Sequence, residues 1–252
     1  MGYIRLFFVA IVVALVFTLS LPFLGITYLI GLFNMDARDR FTMGVVYVAF
    51  SAVIWASGVK VHISGKENLP KDGPVLYVGN HRSFYDVLVS YRLFPKITSF
   101  VAKKEFEHVP FLSWWMNALH NLFLDRSDIK QGLKTILKAI DYVKGGMSIC
   151  IFPEGKRNRT EEDMLPFHDG SFKIADKTGC PIIPMTMYNM SAVWEDHMPQ
   201  IYSQHVFIDF VTPILPDSLD KETRKHMGEY VRDIMIKRYN ELKEESKEYI
   251  KR

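Results

Sequence analysis

The chain has 252 residues, 48% hydrophobic and 23% charged, which suits one globular domain of ordinary size plus an additional element. Its 31 basic and 28 acidic residues leave a net charge of +3, too balanced for a nucleic-acid-binding surface. Its two cysteines, Cys150 and Cys180, exclude a disulfide framework and a four-cysteine zinc site, and their apolar neighbours mark them as small buried hydrophobes.

The N-terminus is a membrane segment by composition. No charged residue lies between Leu6 and Phe33, a run longer than the roughly 20 residues that cross a bilayer core. Pro22 and Gly25 interrupt it. After the charged break Asp36, Arg38, Asp39 and Arg40, a second apolar run extends from Met43 to Ser57. The two runs form either a spanning hairpin or a kinked, re-entrant pair in one leaflet. Both arrangements return the chain to the side on which it started. The length of the first run, and the lack of a small-x-small cleavage site after it, argue against a cleaved signal peptide. Residues 1–58 are therefore expected to be membrane-anchoring helices and residues 59–252 a catalytic domain.

Beyond the anchor, Val59–Ser64 alternates as a strand and Glu67–Pro74 reads as a loop. Val75–Val78 is a buried strand. A helix is expected from the Asp86 region onward, with Ser83 as its N-cap. Ile97–Ala102 is a strand, Phe111–Leu119 an aromatic-rich helix, and Leu122–Leu124 a short strand. Ile129–Lys144 has helical spacing and is closed by Gly145-Gly146. Ser148–Phe152 is a strand, and Phe172–Thr178 a helix stopped by Gly179. Ile182–Met187 is a strand whose Pro184 predicts an edge position or a bulge. Val206–Val211 is a strand, and Leu219–Lys251 a long charged helix with apolar positions at Met227, Tyr230, Ile234 and Met235. Strands alternating with helices give an α/β fold, a mixed sheet flanked by helices.

The chemistry-bearing residues fall just after strands. His81 and Asp86 follow Val75–Val78. Five residues apart, they would not share a face of one helix. They can meet only if His81 sits in the turn and Asp86 inside the helix, where a carboxylate would fix the imidazole tautomer and favour general-base chemistry. Lys103, Arg126 and Arg157 each follow another strand, where ligands of open α/β sheets gather. Together they would bind an anionic substrate. Taken singly, Arg126 has a surface ion-pair reading with Asp125 or Asp128, as Arg157 and Arg159 have with Glu161 or Glu162. There is no Gly-x-Ser-x-Gly elbow, P-loop, Gly-x-Gly-x-x-Gly or His-Glu-x-x-His, and His168-Asp169 is a weak metal signal. The simplest remaining chemistry is direct attack by a substrate hydroxyl that His81 activates.

In order along the chain, these segments resemble the blocks of the 1-acylglycerol-3-phosphate acyltransferases, the PlsC type of glycerolipid acyltransferase. Asn80-His81-Arg82-Ser83-Phe84-Tyr85-Asp86 is similar to the family's Asn-His-x4-Asp block. Ala102-Lys103-Lys104-Glu105 with Pro110 resembles an Ala-Lys-x-Glu…Pro segment. Phe123-Leu124-Asp125-Arg126 resembles a block ending in Arg. Phe152-Pro153-Glu154-Gly155-Lys156-Arg157 resembles Phe-Pro-Glu-Gly-Thr-Arg, and Ile182-Ile183-Pro184-Met185 an apolar pair before Pro. Two positions depart from the pattern, His120 where the second block opens with Gly and Lys156 where the third has Thr or Ser. Both departures put the exact acceptor in question.

The resemblance implies a glycerolipid acyltransferase-like fold and acyl transfer from acyl-CoA or acyl-ACP to the sn-2 hydroxyl of lysophosphatidic acid, with no resident cofactor or metal. His81 would be the base and Asp86 its orienting partner. Lys103, or backbone N–H groups after the His81 strand, would bind the oxyanion. Arg126 and Arg157 would hold the phosphate, with Glu154 and Gly155 shaping the loop. Phe111, Trp114 and Trp115 would border an acyl channel. The implied partners are membrane lipids and the two substrates. The implied location is a membrane, of the bacterial inner-membrane kind, with the catalytic domain on the cytoplasmic face. The sequons at Asn158 and Asn189 are accordingly read as unmodified. Two alternatives remain at this point, a different lysolipid acceptor or a non-catalytic lipid-binding protein on the same fold.

Overall fold

The computed structural model describes residues 1–160 and 162–250; Glu161, one possible partner of Arg157 and Arg159, and Lys251, the expected end of the last helix, lie outside the described residues. Two long helices come first, α1 (Gly2–Gly31) and α2 (Met35–Ala56). Strands and helices then alternate: β1 (Lys60–Ser64), β2 (Leu76–Gly79), α3 (Tyr85–Tyr91), β3 (Thr98–Lys103), α4 (Leu112–Ala118), β4 (Leu122–Leu124), α5 (Ile129–Lys144) and β5 (Ser148–Ile151). The remainder is α6 (Lys173–Thr178), β6 (Ile182–Tyr188), β7 (His205–Phe210), α7 (Lys221–Lys225) and α8 (Met227–Ile250).

The strands form one mixed sheet in the order β1-β7-β6-β2-β5-β3-β4. Neighbours run parallel except β6 and β7, which pair antiparallel. Period-two alternation divides the apolar side chains between two cores. Tyr77, Cys150, Ile183 and Met185 pack with α1–α4, whereas Leu76, Val78, Ile149 and Ile182 pack with α5, α6 and α8. Cys150 and Cys180 are buried and free.

This topology fixes where a ligand can bind. From β2 the chain passes through α3 on one face and moves outward to β3. From β5, the neighbour of β2, it passes through α6 on the other face and crosses back to β6. The connections leave two adjacent strands in opposite directions, so a crevice opens between the carboxyl ends of β2 and β5. His81 follows the first of these strands and Glu154 the second.

One expectation is narrowed and two need correction. First, β6 is an interior strand, not an edge strand. Pro184 is tolerated because a bulge lies opposite it. Between the pairs Ile182↔Ile214 and Met185↔Phe210, β6 contributes Ile183 and Pro184, and the facing segment contributes Val211, Thr212 and Pro213. The Pro184 carbonyl points to that side and accepts from the Val211 N–H at 2.9 Å. The missing N–H therefore faces the bulge and removes no bond to β2.

Second, α1 runs unbroken through Pro22 and Gly25, and the charged break belongs to the first turns of α2, which Asn34 caps by accepting from the Ala37 N–H. The pair is a hairpin laid against the sheet domain. At one end the Ile201 N–H donates to the Gly2 carbonyl (3.3 Å). Further along, Trp115 Nε1 donates to Ser20 Oγ (3.1 Å), and Tyr28 Oη reaches the Trp114 carbonyl (3.5 Å). At 1.5 Å per residue, α1 follows the domain for about 39 Å. Its other side leaves Ile4, Phe7, Leu15, Leu19 and Leu29 exposed.

Third, the C-terminal helix is two helices broken at His226. Its buried face carries Met227, Val231, Met235, Tyr239 and Leu242, and Tyr230 points outward.

The tightest backbone approach in the fold is at Gly65, after β1. Its φ is +69°, and a Cβ there would sit 2.0 Å from the Phe210 carbonyl oxygen. Gly65→Ala is expected to lower the unfolding free energy by about 3 kcal/mol, combining left-handed strain with a backbone collision. Thermal unfolding in detergent measures it, and a change under about 0.5 kcal/mol, the level of an ordinary surface substitution, would contradict the packing described.

Candidate active site

His81 leaves β2 in a turn, and Asp86 is the second residue of α3, the one arrangement in which residues five apart can touch. The imidazole Nδ1 lies 2.8 Å from Asp86 Oδ2. The same oxygen accepts the backbone N–H groups of Arg82 and Ser83, each at 2.7 Å. Asp86 is buried, and its Oδ1 has no partner among the described residues. With Nδ1–H donated to the carboxylate, Nε2 carries the free lone pair. The His81 ring stacks on Phe152 with centroids 4.3 Å apart, and its side chain remains 19% exposed, enough for a substrate to reach it. Ser83 caps less than expected. Its Oγ accepts only the Tyr85 N–H at the start of α3.

Glu154 lies under this turn. Its carboxylate accepts the His81 N–H (2.7 Å) on one oxygen and the Leu165 N–H (2.9 Å) on the other. Burial pushes its pKa up to about 6, against the pull of those two amides. The Asn158 N–H donates to the His81 carbonyl at 2.7 Å, so the loop after β5 holds His81 from both sides of its peptide. On the β6 side, the Asn80 side chain exchanges two hydrogen bonds with the Met187 backbone and extends the sheet by one position. The Arg82 guanidinium donates to the carbonyls of Thr160 and Glu162.

The expected cations divide into three cases. Arg126 has no hydrogen bond or ion pair among the described residues. Asp125 is taken by Lys104 and Ser127, and Asp128 caps α5 at Gln131. Arg126 comes close to Gly155, where an added Cβ would lie 3.8 Å from its Nε. Crowding lowers its pKa, but an arginine remains charged. Arg157 is held instead by Glu195 (3.2 Å), with its Cζ 4.0 Å from the centroid of the Phe84 ring. Lys103 is ion-paired to Glu105 on the exposed surface, and no contact joins it to His81. The other oxyanion candidates also need correction. The N–H groups of His81, Arg82, Ser83, Phe84 and Tyr85 are all bonded to side-chain oxygens.

Glu195 is the site residue that sequence reasoning misses. Its buried carboxylate accepts from Ser83 Oγ (2.6 Å), the Phe84 N–H (2.8 Å) and Arg157. It opens a short 3-10 turn after β6, and no spacing relates it to His81. The two departures from the block pattern lie away from His81. His120 has φ +58°, the left-handed conformation that favours glycine there, and its ring binds Asp39 at the start of α2 (2.9 Å). The side chain of Lys156 is exposed. In α4, Trp115 is buried against α1, while Trp114 and Phe111 face outward.

Two outcomes follow from these buried carboxylates. Glu195→Ala leaves the Phe84 amide, Ser83 hydroxyl and Arg157 without their acceptor, so unfolding free energy should fall by about 3 kcal/mol. Chemical denaturation measures this, and a loss below about 1 kcal/mol, no more than one ordinary hydrogen bond, would mean the clamp is not formed. Glu154 binds its proton more tightly in the folded than in the unfolded chain, where its ordinary value is 4.5. Its contribution is thus fully present below pH 4.5 and is lost as pH rises through about 6, amounting to about 2 kcal/mol. Stability of Glu154→Gln should lack that decline, and identical pH profiles for the two proteins would refute the assignment.

Residues 60–188 match the family model described as "Acyltransferase". Three similar proteins bear the name 1-acyl-sn-glycerol-3-phosphate acyltransferase. That of Saccharomyces cerevisiae is 33% identical, the match covering 73% of this chain and 61% of that protein. That of Borreliella burgdorferi is 30% identical, covering 75% and 76%. That of Haemophilus influenzae is 30% identical, covering 82% and 86%. The fold is that of the crystal structure of the 1-acyl-sn-glycerophosphate (LPA) acyltransferase, PlsC, from Thermotoga maritima, with a TM-score of 0.81 at 22% identity over 96% of this chain and 98% of that one.

Proposed function

The chain belongs to the acyltransferase family, and on that premise we propose that it moves a fatty acyl group from a thioester of coenzyme A or acyl carrier protein to the sn-2 hydroxyl of 1-acylglycerol-3-phosphate, giving phosphatidic acid. The observation that carries this reading is the His81–Asp86 pair, with Nδ1 held at 2.8 Å, at the crevice between β2 and β5. His81 Nε2 takes the hydroxyl proton as the oxygen attacks the thioester carbonyl. A C–O bond forms, the tetrahedral intermediate collapses, the C–S bond breaks, and the imidazolium returns the proton to the thiolate. Asp86 holds the ring in the reactive tautomer and stabilises its transient charge.

The oxyanion falls to the loop after β5. The amides of Glu154, Lys156 and Arg157 donate to no group among the described residues, and this loop flanks His81 on both sides. The unpaired Arg126 beside Gly155 supplies a cation for the acceptor phosphate. The α1–α2 hairpin, with mean hydropathy 2.7 over an 18-residue window of its first helix, serves as the membrane anchor. Because α1 lies along the domain and does not project from it, insertion into one leaflet fits better than a spanning stalk. That placement would bring the crevice to the headgroups, where a lysolipid already resides.

His81→Ala should abolish thioester-dependent acylation while membrane association persists. Asp86→Asn should lower kcat by roughly three to four orders of magnitude, since an amide favours the wrong tautomer. Radiolabelled acyl transfer to 1-acylglycerol-3-phosphate checks both, and near-normal turnover by either purified variant would sink the mechanism.

A further inference from the structure

Resting on the acceptor assignment above, we propose that His168 joins Arg126 in the phosphate clamp and is a specificity-determining residue for the acceptor. The argument begins with what each cation already touches. Arg157 has given its charge to a buried carboxylate, Glu195, and one face of its guanidinium to the Phe84 ring. It therefore fixes the His81 turn, because Glu195 also holds Ser83 and the Phe84 amide. One N–H of Arg157 is thus spent on a partly buried ion pair, whereas Arg126 has no such pair among the described residues.

The side chains of Arg126 and His168 have no such commitments among the described residues. Arg126 comes from the end of β4 and His168 from the segment before α6, so sequence spacing does not link them. The His168 backbone N–H donates to the Pro153 carbonyl at 2.9 Å, which pins the residue beside the loop after β5. Both side chains then converge on Gly155. A Cβ added there would lie 3.0 Å from His168 Nε2 and 3.8 Å from Arg126 Nε. Gly155 has φ +73°, and any side chain would fill the space between the two donors. The residue before it, Glu154, grips the His81 amide, so the two donors meet one residue along the chain from the turn that holds the base.

The ligand chemistry follows from the donors. A guanidinium offers a fork of N–H groups and an imidazole one more, which suits the terminal oxygens of a phosphate monoester. An uncharged acceptor such as 1-acylglycerol gives these groups nothing to bind.

The test uses the full chain in mixed micelles, with His168→Ala, His168→Lys and Arg126→Ala. KM and kcat are measured for 1-acylglycerol-3-phosphate, for 1-acylglycerol and for the acyl donor. His168→Ala should raise KM for the phosphate acceptor about tenfold, the loss of one charged hydrogen bond, with kcat within about twofold and the donor KM unchanged. His168→Lys should restore it, and the preference for the phosphate-bearing acceptor should shrink by the same factor in His168→Ala. If His168→Ala keeps its acceptor KM while Arg126→Ala loses it, His168 is outside the clamp and the proposal fails, although the acyltransferase reading stands. A fall in kcat that lysine does not rescue marks a structural role and also overturns it.

A second measurement needs no turnover. Glycerol 3-phosphate should slow diethyl pyrocarbonate modification of His168, followed by mass spectrometry, in the wild type and not in Arg126→Ala. Absence of protection in the wild type overturns the clamp. If the enzyme acylates neither acceptor but protection is seen, the function reading fails and the phosphate site remains.

Discussion

Three carboxylates spend their lone pairs on one turn. Residues 81–84 belong to no helix or strand, so their backbone N–H groups have no ladder to join, and the turn is half-buried, with Ser83 enclosed. Glu154 takes the first amide, Asp86 the next two, and Glu195 the fourth together with the Ser83 hydroxyl. Hydrogen bonds to ionised acceptors are the strong kind, and these run to three different segments of the chain. The turn keeps its shape only while the strand before it, the loop after β5 and the short 3-10 turn after β6 are all in place. His81 acquires its geometry from this arrangement. Burying acids has a cost, visible in the raised pKa of Glu154, the one of the three with no donor but backbone amides.

Topology decides which segments can supply those acids. Because β2 and β5 are neighbours whose connections leave toward opposite faces, the chain ends above them cannot cover each other. The crevice that results is where a base from one strand can face a loop from the next. The anchor is tied to the same framework from the side. Arg38, buried, donates to the Ala118 carbonyl, and Asp39 binds His120. Those residues sit between α4 and β4, and β4 ends just before Arg126. Anchor and cation are therefore separated by one short strand.

Much of this was legible in the sequence, and the failures have physical reasons. The His81–Asp86 contact is local, and helix geometry alone says that the pair can meet only with His81 in the turn and Asp86 in the helix. The strands were found because half-buried and fully buried β segments carry apolar signals of their own. Pro184 leaves an edge strand and a bulge open, and the structure takes the bulge, on the facing strand, where the strand that carries the proline shows no mark of it. Pro22 does not interrupt α1, since a single proline costs one hydrogen bond that a long apolar helix can absorb. Glu195 was invisible because its three donors lie 38, 111 and 112 residues away, a distance at which a glutamate looks like any other. His120 departs from the expected glycine, yet the left-handed backbone is retained, and the added ring binds Asp39 of α2.

Asn158 has a consequence of another kind. It forms part of an Asn-x-Thr sequon, but it is buried. Its Nδ2 donates to the Glu162 carbonyl at 2.7 Å, and its Oδ1 accepts from Thr160. A sugar on that buried nitrogen would have to push the loop aside, and the same residue's backbone N–H is the one that holds the His81 carbonyl. The site that looks like a sugar acceptor in the sequence is therefore a support of the base in the fold.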